Sequence, residues 1–346
     1  MNDFYNGDKL CNMRDLDGEV PEIVICCGNR TAGKSFYFKR KMILNFLEHG
    51  IKFIILCRKV NEMKGLFEAF MSDLKENVPG FEHLQESEES CQRGLYMKIY
   101  LNGEHCGYVI YLNSSDGIRR ISSQFIDAGA VIFDEFQSET ESYVDDEIRK
   151  FLSIRTSIAR GGGKHIRFLP YYMVSNTVSV LNPYFVEMGI HKRVDGKTRF
   201  LRGHGFVMEI TKNETAAKEI QQSRFNLAFS NSEYLKFAAD NTYLLDSNAF
   251  VEKLDVKNFS YQATVISNGK FFGVWLTNSG NLYVAQNGDS GYWLKLATSV
   301  NDMKPGVAHI RANPVLQEWR VRFNMGYWRF QTLECKSVII DLLSQR

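Results

Sequence analysis

Residues 28–35 read Gly28-Asn29-Arg30-Thr31-Ala32-Gly33-Lys34-Ser35, which fits the pattern G-x-x-x-x-G-K-[ST]. An apolar stretch, Glu22–Cys27, precedes this segment, and the stretch that follows, Lys34–His49, has helical periodicity. A loop between a buried strand and a helix N-terminus can surround phosphate groups with backbone N–H groups. The stretch therefore predicts a P-loop for ATP. Residues 28–35 would bind the phosphates, Lys34 would neutralise their charge and Ser35 would hold Mg²⁺.

A second apolar stretch ends in two carboxylates, as such a loop requires. Residues 130–136 read AVIFDEF and contain Asp134 and Glu135. Asp134 would orient the hydrated Mg²⁺, and Glu135 would polarise the attacking water. The pair predicts an ATP hydrolase of the additional-strand type rather than a kinase of small substrates.

The first half of the chain alternates strand-like and helix-like stretches, which is typical of a parallel sheet covered by helices. The predicted strands are Glu22–Cys27, Lys52–Cys57, Tyr108–Asn113, Ala130–Phe133 and Ile166–Ser175. The predicted helices are Lys34–His49, Glu62–Asn77 and Tyr143–Ala159. The expected fold class is an α/β P-loop domain.

Several polar residues are candidates to contact the γ-phosphate. Asn176 follows the last predicted strand and is the candidate sensor; a strand-terminating turn is the alternative. Arg160, beside three glycines, is a candidate arginine finger toward a neighbouring subunit, and surface or DNA-phosphate contact is its alternative. Arg155 and Arg30 are the other candidates, and Arg30 would act within its own subunit.

Composition narrows the class of protein further. Apolar residues make up 44% of the 346 residues, the net charge is +2, and no apolar run approaches the roughly 18 to 20 residues that span a bilayer. We therefore expect no membrane segment and a location in a cytoplasm. Seven scattered cysteines and seven histidines lack zinc spacing, so we expect no zinc, with Cys26 and Cys27 buried in a strand.

The chain is long enough for more than one domain. We expect a P-loop ATPase domain at 1–210, a helical linker subdomain at 211–248 and a smaller α+β domain at 249–346. In the last, FSYQATVIS, KFFGVWLT and NLYVAQ are joined by NG and SG turns, which predicts an antiparallel meander followed by two helices.

Two basic regions are candidates for nucleic-acid contact. The segment His191–Arg202 is either a phosphate-contacting hairpin or a solvated face. Near the C-terminus, basic and aromatic side chains alternate, and the aromatic ones would either stack on bases or form the core. This second set contains Arg311, Arg320, Arg322 and Arg329 together with Trp319, Phe323, Tyr327 and Trp328.

The chain resembles the DNA encapsidation ATPases of small, protein-primed, short-tailed phages, which are relatives of the large terminases. The motifs that carry the resemblance are GNRTAGKS with its internal Arg30, the VIFDEF strand, and SNTVSVLNPYF from Ser175 to Phe185. A further similarity lies in SRFNLAFSNSEYLKFAADNTYLLDSNAF, and the resemblance weakens beyond residue 250.

The resemblance implies a ring, with five subunits, that docks on the portal protein of an empty capsid in the host cytoplasm and threads double-stranded DNA into it. A phage-encoded packaging RNA can bridge motor and capsid in this type. The family's trans arginine follows the helix after the Asp-Glu pair, and Arg160 matches it best. The alternatives are another ring-forming translocase, a helicase-like ATPase, or a portal-docking protein that does not hydrolyse nucleotide.

The resemblance also implies a C-terminal domain of ribonuclease H-like shape, as a degenerate nuclease. A two-metal nuclease needs converging carboxylates, with the first on the opening strand. That strand reads Ala263-Thr-Val-Ile-Ser-Asn268 and contains no acid, and the remaining carboxylates are sparse. Those that follow this strand are Asp289, Asp302, Glu318, Glu334 and Asp341. We expect nucleic-acid binding without nuclease activity.

Overall fold

The structure is a computed structural model that describes residues 5–140, 142–160, 165–194, 198–229, 232, 235, 238, 250–309 and 314–344. The chain divides into two compact units, Met1–Leu245 and Asp246–Arg346. Within the described ranges, no helix combines the length and the apolar character needed to cross a membrane.

The described part of the first unit is built on a nine-stranded sheet in the order β3-β4-β5-β2-β6-β7-β1-β9-β8. Its strands are β1 Ile23–Gly28, β2 Lys52–Cys57, β3 Glu86–Cys91, β4 Tyr96–Leu101, β5 Glu104–Tyr111, β6 Ala128–Asp134, β7 Tyr171–Asn176, β8 Phe200–Gly203 and β9 Phe206–Thr211. The six central strands, from β5 to β9, run parallel, and the strands at both edges pair antiparallel. The carboxyl ends of the parallel strands therefore meet at one edge, where ligands bind in sheets of this kind.

Strand β7 lies between β1 and β6 and pairs with both. An inserted strand thus separates the strand that leads into the phosphate loop from the strand that ends in Asp134. This order is that of the additional-strand class of P-loop ATPases, so the fold of the first unit is P-loop ATPase-like.

Helices cover both faces of this sheet. They are α1 Asp8–Cys11, α2 Lys34–His49, α3 Leu66–Asn77, α4 Ser115–Arg120, α5 Glu147–Ile158, α6 Pro183–Glu187, α7 Glu214–Gln222 and α8 Arg224–Leu227. Along β1, Val24 and Cys26 pack on one face with Phe38 of α2, while Ile25 and Cys27 belong to the core on the other face. Burial on both faces explains why β1 reads as a continuous apolar run.

Several boundaries differ from those that the sequence predicted. The stretch Ile166–Ser175 becomes a strand only from Tyr171, directly after Pro170, which cannot donate a ladder hydrogen bond. The helix expected at Glu62–Asn77 begins at Leu66, because Gly65 adopts the left-handed conformation with φ 73°. The helix expected at Tyr143–Ala159 begins at Glu147, after Asp146 with φ 54°.

Strands β3, β4, β8 and β9 were not predicted. Strand β3 reads ESEESC and has no buried residue, so its sequence lacks the alternation of apolar and polar residues that marks a half-buried strand. The linker prediction at 211–248 is described only in part. Its helices α7 and α8 are capped by Asn213 and Ser223, and 239–248 lie outside the described residues.

The described part of the second unit contains a six-stranded sheet in the order β14-β13-β10-β11-β12-β15. Its strands are β10 Ser260–Ser267, β11 Lys270–Leu276, β12 Leu282–Gln286, β13 Lys295–Ala297, β14 Ala308–His309 and β15 Trp328–Phe330, and its helices are α9 Pro314–Asn324 and α10 Leu333–Ser344. Strands β10, β11 and β12 form the predicted antiparallel meander. The predicted turn between β10 and β11 has positive φ at both Asn268 and Gly269, as a tight hairpin turn requires.

Three further strands of this sheet, which flank the meander, were not predicted. Strands β13 and β14 extend the sheet in parallel beside β10, and β15 pairs in parallel with β12. Each contains only two or three residues, too few to show a period of two.

Candidate nucleotide-binding site

The phosphate loop connects the end of β1 to the start of α2. A side chain at Gly28 would place its Cβ only 2.3 Å from the carbonyl oxygen of Thr211 on β9. Gly33 adopts the left-handed conformation with φ 88° at the position that precedes α2. Both glycines are therefore required by the local backbone, one by close approach and the other by its φ angle.

A reciprocal pair of side-chain bonds anchors this loop to the segment after β9. The Asn29 amide donates to the Asn213 carbonyl at 3.1 Å, and the Asn213 N–H donates to the Asn29 amide oxygen at 2.9 Å. One residue on, the Arg30 N–H donates to the carbonyl of Ala238 at 3.1 Å. The loop is thus held by residues from the predicted linker region.

Lys34 lies beneath this loop, with only 5% of the residue exposed. Its ammonium donates to the Asn29 carbonyl at 2.6 Å and to the Asn176 amide oxygen at 3.4 Å. Burial lowers the pKa of the Lys34 ammonium. The P-loop lysine, at the start of α2, and the predicted sensor residue, at the end of β7, therefore lie side by side.

Ser35 and Asp134 also meet, as a Mg²⁺ site of this type needs. The Ser35 hydroxyl donates to an Asp134 carboxylate oxygen at 2.8 Å. A hydroxyl and a carboxylate supply the oxygen ligands that Mg²⁺ prefers. Asp134 is the last residue of β6, so the parallel sheet brings it to the same edge as the loop after β1.

Glu135 adopts the left-handed conformation with φ 55° directly after β6, a strained backbone conformation that is common at functional sites. Partial burial and the nearby carboxylates of Asp134 and Glu139 raise the pKa of the Glu135 carboxyl. A carboxylate with a raised pKa is a better proton acceptor, which suits a group that polarises water.

Arg58 holds the backbone of Glu135 in place. This buried arginine follows β2 directly, and its guanidinium donates to the Glu135 carbonyl at 2.7 Å and also to the Phe136 carbonyl. Its Nε lies 3.1 Å from a carboxylate oxygen of the buried Glu147. The ion pair fixes the left-handed conformation of Glu135 from the interior of the unit.

The segment Asn182–Phe185, part of the motif that carried the resemblance, completes this arrangement. The Asn182 side chain caps α6 by accepting from the Phe185 N–H at 3.0 Å. The Tyr184 hydroxyl donates to Glu147 at 2.7 Å. The motif therefore supports the partner of Arg58 and, through Arg58, the backbone of Glu135.

Glu139 is a further charged residue at the site, and sequence reasoning missed it. Its carboxylate oxygens accept from the Arg30 guanidinium at 2.6 and 2.7 Å, and one of them accepts from the Asn176 amide at 3.1 Å. No period or spacing marks Glu139 among the acids that follow Asp134. Arg58, by contrast, was detectable, because it is polar and lies at the carboxyl end of a buried parallel strand, as Asn176 does.

The three candidate arginines lie in different places. Arg30 lies beside Asn176 through their shared partner Glu139. Arg155, on α5, pairs with Glu22 at the edge where β1 begins, opposite the phosphate loop. Arg160 follows the end of α5 and is exposed, and the adjacent residues 161–164 lie outside the described residues. The structure therefore brings neither Arg155 nor Arg160 to the phosphate loop of its own chain.

In the described ranges, no three His, Cys, Asp or Glu residues are grouped so that they could hold a metal ion. Cys26 and Cys27 are buried in β1, as predicted, and burial raises the pKa of the Cys27 thiol to about 11.

The aromatic residues near the C-terminus belong largely to the core. Trp319 and Trp328 are 4% and 1% exposed and pack edge to face, and Phe323 packs against the same cluster, whereas Tyr327 is exposed. Trp319 and Trp328 therefore form part of the core and are not available to stack on bases. The described arginines have partners inside the unit: Arg320 contacts the Leu343 carbonyl, Arg322 contacts Glu318, and Arg329 contacts Glu252. Arg311 lies outside the described residues.

The basic segment His191–Arg202 leads into the hairpin of β8 and β9. Arg193 donates to the Arg202 carbonyl, and Arg199 lies 3.5 Å from the buried Glu209. Residues 195–197 lie outside the described residues. The segment's contact with DNA stays a prediction.

Comparison with known proteins identifies the family. The family described as "Podovirus DNA encapsidation protein (Gp16)" matches residues 2–346. The DNA packaging protein of Bacillus phage B103 is 26% identical over 326 residues, which cover 92% of this chain and 95% of that protein. The DNA packaging protein of Bacillus phage phi29 is 24% identical over 345 residues, with 98% and 96% covered.

Two solved structures share the fold along nearly the whole chain. One is the bacteriophage Phi-29 viral genome packaging motor assembly, with a TM-score of 0.66, 22% identity and coverage of 99% of this chain and 98% of that chain. The other is the Phi-28 gp11 DNA packaging motor, with a TM-score of 0.59, 13% identity and coverage of 100% and 99%. From the match over residues 2–346, we conclude that the chain belongs to the podovirus DNA encapsidation protein family.

Proposed function

We propose that the protein is an ATP-driven motor subunit that moves double-stranded viral DNA into a preformed capsid. The observation that carries this proposal is the meeting of Lys34, Ser35, Asp134 and Asn176 at the phosphate loop, with Glu135 adjacent. A protein that only docked on the portal would have no need of this set of residues. Membership in the DNA encapsidation protein family supports DNA packaging as the process that ATP hydrolysis drives.

Each residue has a proposed role in ATP hydrolysis. The backbone N–H groups of residues 28–35 would hold the phosphates, and Lys34 would neutralise their charge. Ser35 and Asp134 would hold Mg²⁺, which when bound offsets the charge that develops on the phosphate oxygens. Glu135 would accept hydrogen-bond donation from the attacking water, and Asn176 would contact the γ-phosphate.

A ring would bring an arginine of a neighbouring subunit to each site, in addition to Arg30 of the same subunit. Arg160 is exposed and follows α5, whose Arg155 pairs with Glu22 at the start of β1, so a neighbouring subunit is the place where it would act. We propose a homo-oligomeric ring of five subunits on the portal vertex, assembled in the host cytoplasm, with a packaging RNA as an additional partner. Arg155 is the weaker candidate, because its guanidinium is engaged by Glu22.

We also propose the division into an ATPase domain at 1–210, a linker subdomain at 211–248 and a ribonuclease H-like domain at 249–346. In the ribonuclease H fold, a three-stranded antiparallel meander is extended beside its first strand by two parallel strands. The arrangement of β10 to β14 supports the assignment.

The proposal is tested by measuring ATP hydrolysis with double-stranded DNA and empty, portal-bearing capsids added separately and together. A packaging motor should hydrolyse ATP fastest when both are present. A translocase or helicase-like ATPase that does not package would respond to DNA alone, and a non-hydrolysing docking protein would show no activity in any mixture.

The C-terminal domain is expected to bind nucleic acid without cutting it. Its carboxylates serve other contacts: Asp302 accepts from the N–H groups of Asn268 and Gly269, and Glu334 pairs with Lys270. Exposed Lys253 and Lys304 leave positive charge for phosphate contact.

Residues 250–346 should therefore bind labelled RNA or duplex DNA in a salt-dependent manner. With about three phosphate contacts, a fourfold rise in salt should weaken binding by about 40-fold. Plasmid incubated with Mn²⁺ and the same fragment should stay intact. Cleavage that an Asp→Ala change abolishes would refute the absence of nuclease activity, and binding unaffected by salt would refute the phosphate contacts.

A further inference from the structure

Glu139 occupies a position that folding of the unit does not explain. It lies in the loop between β6 and α5, outside any helix or strand, and its side chain is partly exposed. Its carboxylate contacts the Arg30 guanidinium at 2.6 Å and the Asn176 amide at 3.1 Å. These two partners come from the phosphate loop and from the end of β7, so Glu139 joins two functional elements that are distant in sequence.

The contacts of Glu139 reach Lys34 as well. The Asn176 amide group donates to Glu139 through its nitrogen and accepts from the Lys34 ammonium, at 3.4 Å, through its oxygen. Glu139 thereby fixes the orientation of the amide, with the oxygen toward Lys34. The chain of contacts is Arg30 to Glu139 to Asn176 to Lys34, and it surrounds the place where the proposed γ-phosphate would bind.

A carboxylate at this place has an electrostatic cost once a triphosphate binds. Charges of the same sign repel strongly where they are only partly screened by water, and Asp134 and Glu135 already contribute two carboxylates. A guanidinium binds carboxylate and phosphate with the same forked geometry. The γ-phosphate and Glu139 are therefore competitors for Arg30.

We propose that Glu139 is a positioning residue that holds Arg30 and orients Asn176, and that it yields Arg30 to the γ-phosphate when ATP binds. This inference rests on the proposed ATPase function of the site. Arg30 then contacts the transferred phosphoryl group within its own subunit, and Asn176 is already oriented beside Lys34. Glu139 itself contacts neither the phosphate nor the attacking water.

The test separates binding from turnover. In Glu139→Gln the competing charge is lost but the shape is kept, so ATP binding should tighten by about 5-fold. Turnover should fall by about 10-fold, because Arg30 and Asn176 are no longer held in position. Affinity is measured by calorimetry with a non-hydrolysable ATP analogue and Mg²⁺, and kcat is measured with ATP, on the full chain. A defect that was merely structural would weaken binding and turnover together.

Two further variants separate the effect of the charge of the Glu139 carboxylate from the effect of its position. Glu139→Asp keeps the charge but withdraws the carboxylate by one methylene, so affinity should stay within about 2-fold of the parent while kcat falls. Glu104→Gln is the matched control: Glu104 is exposed at the start of β5, at the sheet edge opposite the phosphate loop, and its change should leave affinity and kcat unchanged.

A double-mutant cycle with Arg30→Ala decides whether Glu139 acts through Arg30. In the Arg30→Ala background, Glu139→Gln should lower kcat by a smaller factor than in the parent, and the loss that remains is the part that acts through Asn176. If it lowers kcat by the same factor in both backgrounds, or if Glu139→Gln weakens ATP binding, the inference is overturned. These outcomes are distinct from failure of the proposed function, in which the parent protein itself would not hydrolyse ATP.

Discussion

Lys34→Ala is expected to lose ATP hydrolysis by about 10²- to 10³-fold, the effect typical of removing one preorganised donor from a charge-stabilising site. The Lys34 ammonium is held between the Asn29 carbonyl and the Asn176 amide oxygen, directly beside Ser35. Without it, the charge of the β- and γ-phosphates would be less neutralised during transfer. The variant Glu135→Gln should still bind ATP, but its rate of ATP hydrolysis should fall by about 10²-fold or more, because the attacking water is no longer polarised.

The Lys34 prediction is checked by steady-state ATPase measurements together with thermal unfolding. Arg40→Ala is the matched control, since Arg40 is an exposed cation on the same helix, α2, and should leave hydrolysis unchanged. Both variants should show a single cooperative unfolding transition. Hydrolysis by folded Lys34→Ala at the parent rate would show that the assigned site is wrong.

The second large effect on ATP hydrolysis is expected for Arg160→Ala, both alone and in rings assembled with a second variant. Arg160→Ala alone should lower hydrolysis by about 10³-fold, the lower end of the range for an arginine finger. A ring that mixes Arg160→Ala with Lys34→Ala subunits should regain activity, because some intact phosphate loops then face an intact Arg160 of a neighbour. Neither variant alone offers that combination.

The measurement is ATPase activity across a series of mixing ratios, with a maximum expected at intermediate ratios. Arg155→Ala is the comparison variant: it removes the ion pair with Glu22, so it should lower the unfolding temperature but leave ATP hydrolysis by the folded ring near the parent rate. Full activity of assembled Arg160→Ala rings would exclude Arg160 as the finger and leave Arg155 and Arg30 as candidates.

The sequence predicted those parts of the site whose residues are marked by their immediate neighbours in the chain. The loop after β1 is marked by Gly28 and Gly33, whose positions the backbone itself requires. Asp134 and Glu135 stand out because they end an apolar run. The motif identified Lys34 but not its burial under the loop, where the Asn29 carbonyl and the Asn176 amide oxygen accept hydrogen bonds from its ammonium.

The rest of the site depends on contacts between residues that are distant in sequence. Glu139 meets Arg30 across 109 positions, and Arg58 meets Glu147 across 89. Neither separation leaves a periodic signal. The same reason explains the missed strands: β3 is polar at a sheet edge, and β14 has only two residues, so both exist through pairing with a neighbour.

The most direct measurement is packaging itself. Empty portal-bearing capsids are mixed with double-stranded DNA, ATP and the parent protein or Glu135→Gln, and the DNA that becomes resistant to nuclease digestion is quantified over time. The account predicts that protected DNA accumulates with the parent protein in proportion to the ATP hydrolysed, and that Glu135→Gln protects none. Protection of DNA without ATP hydrolysis, or equal protection with Glu135→Gln, would contradict it.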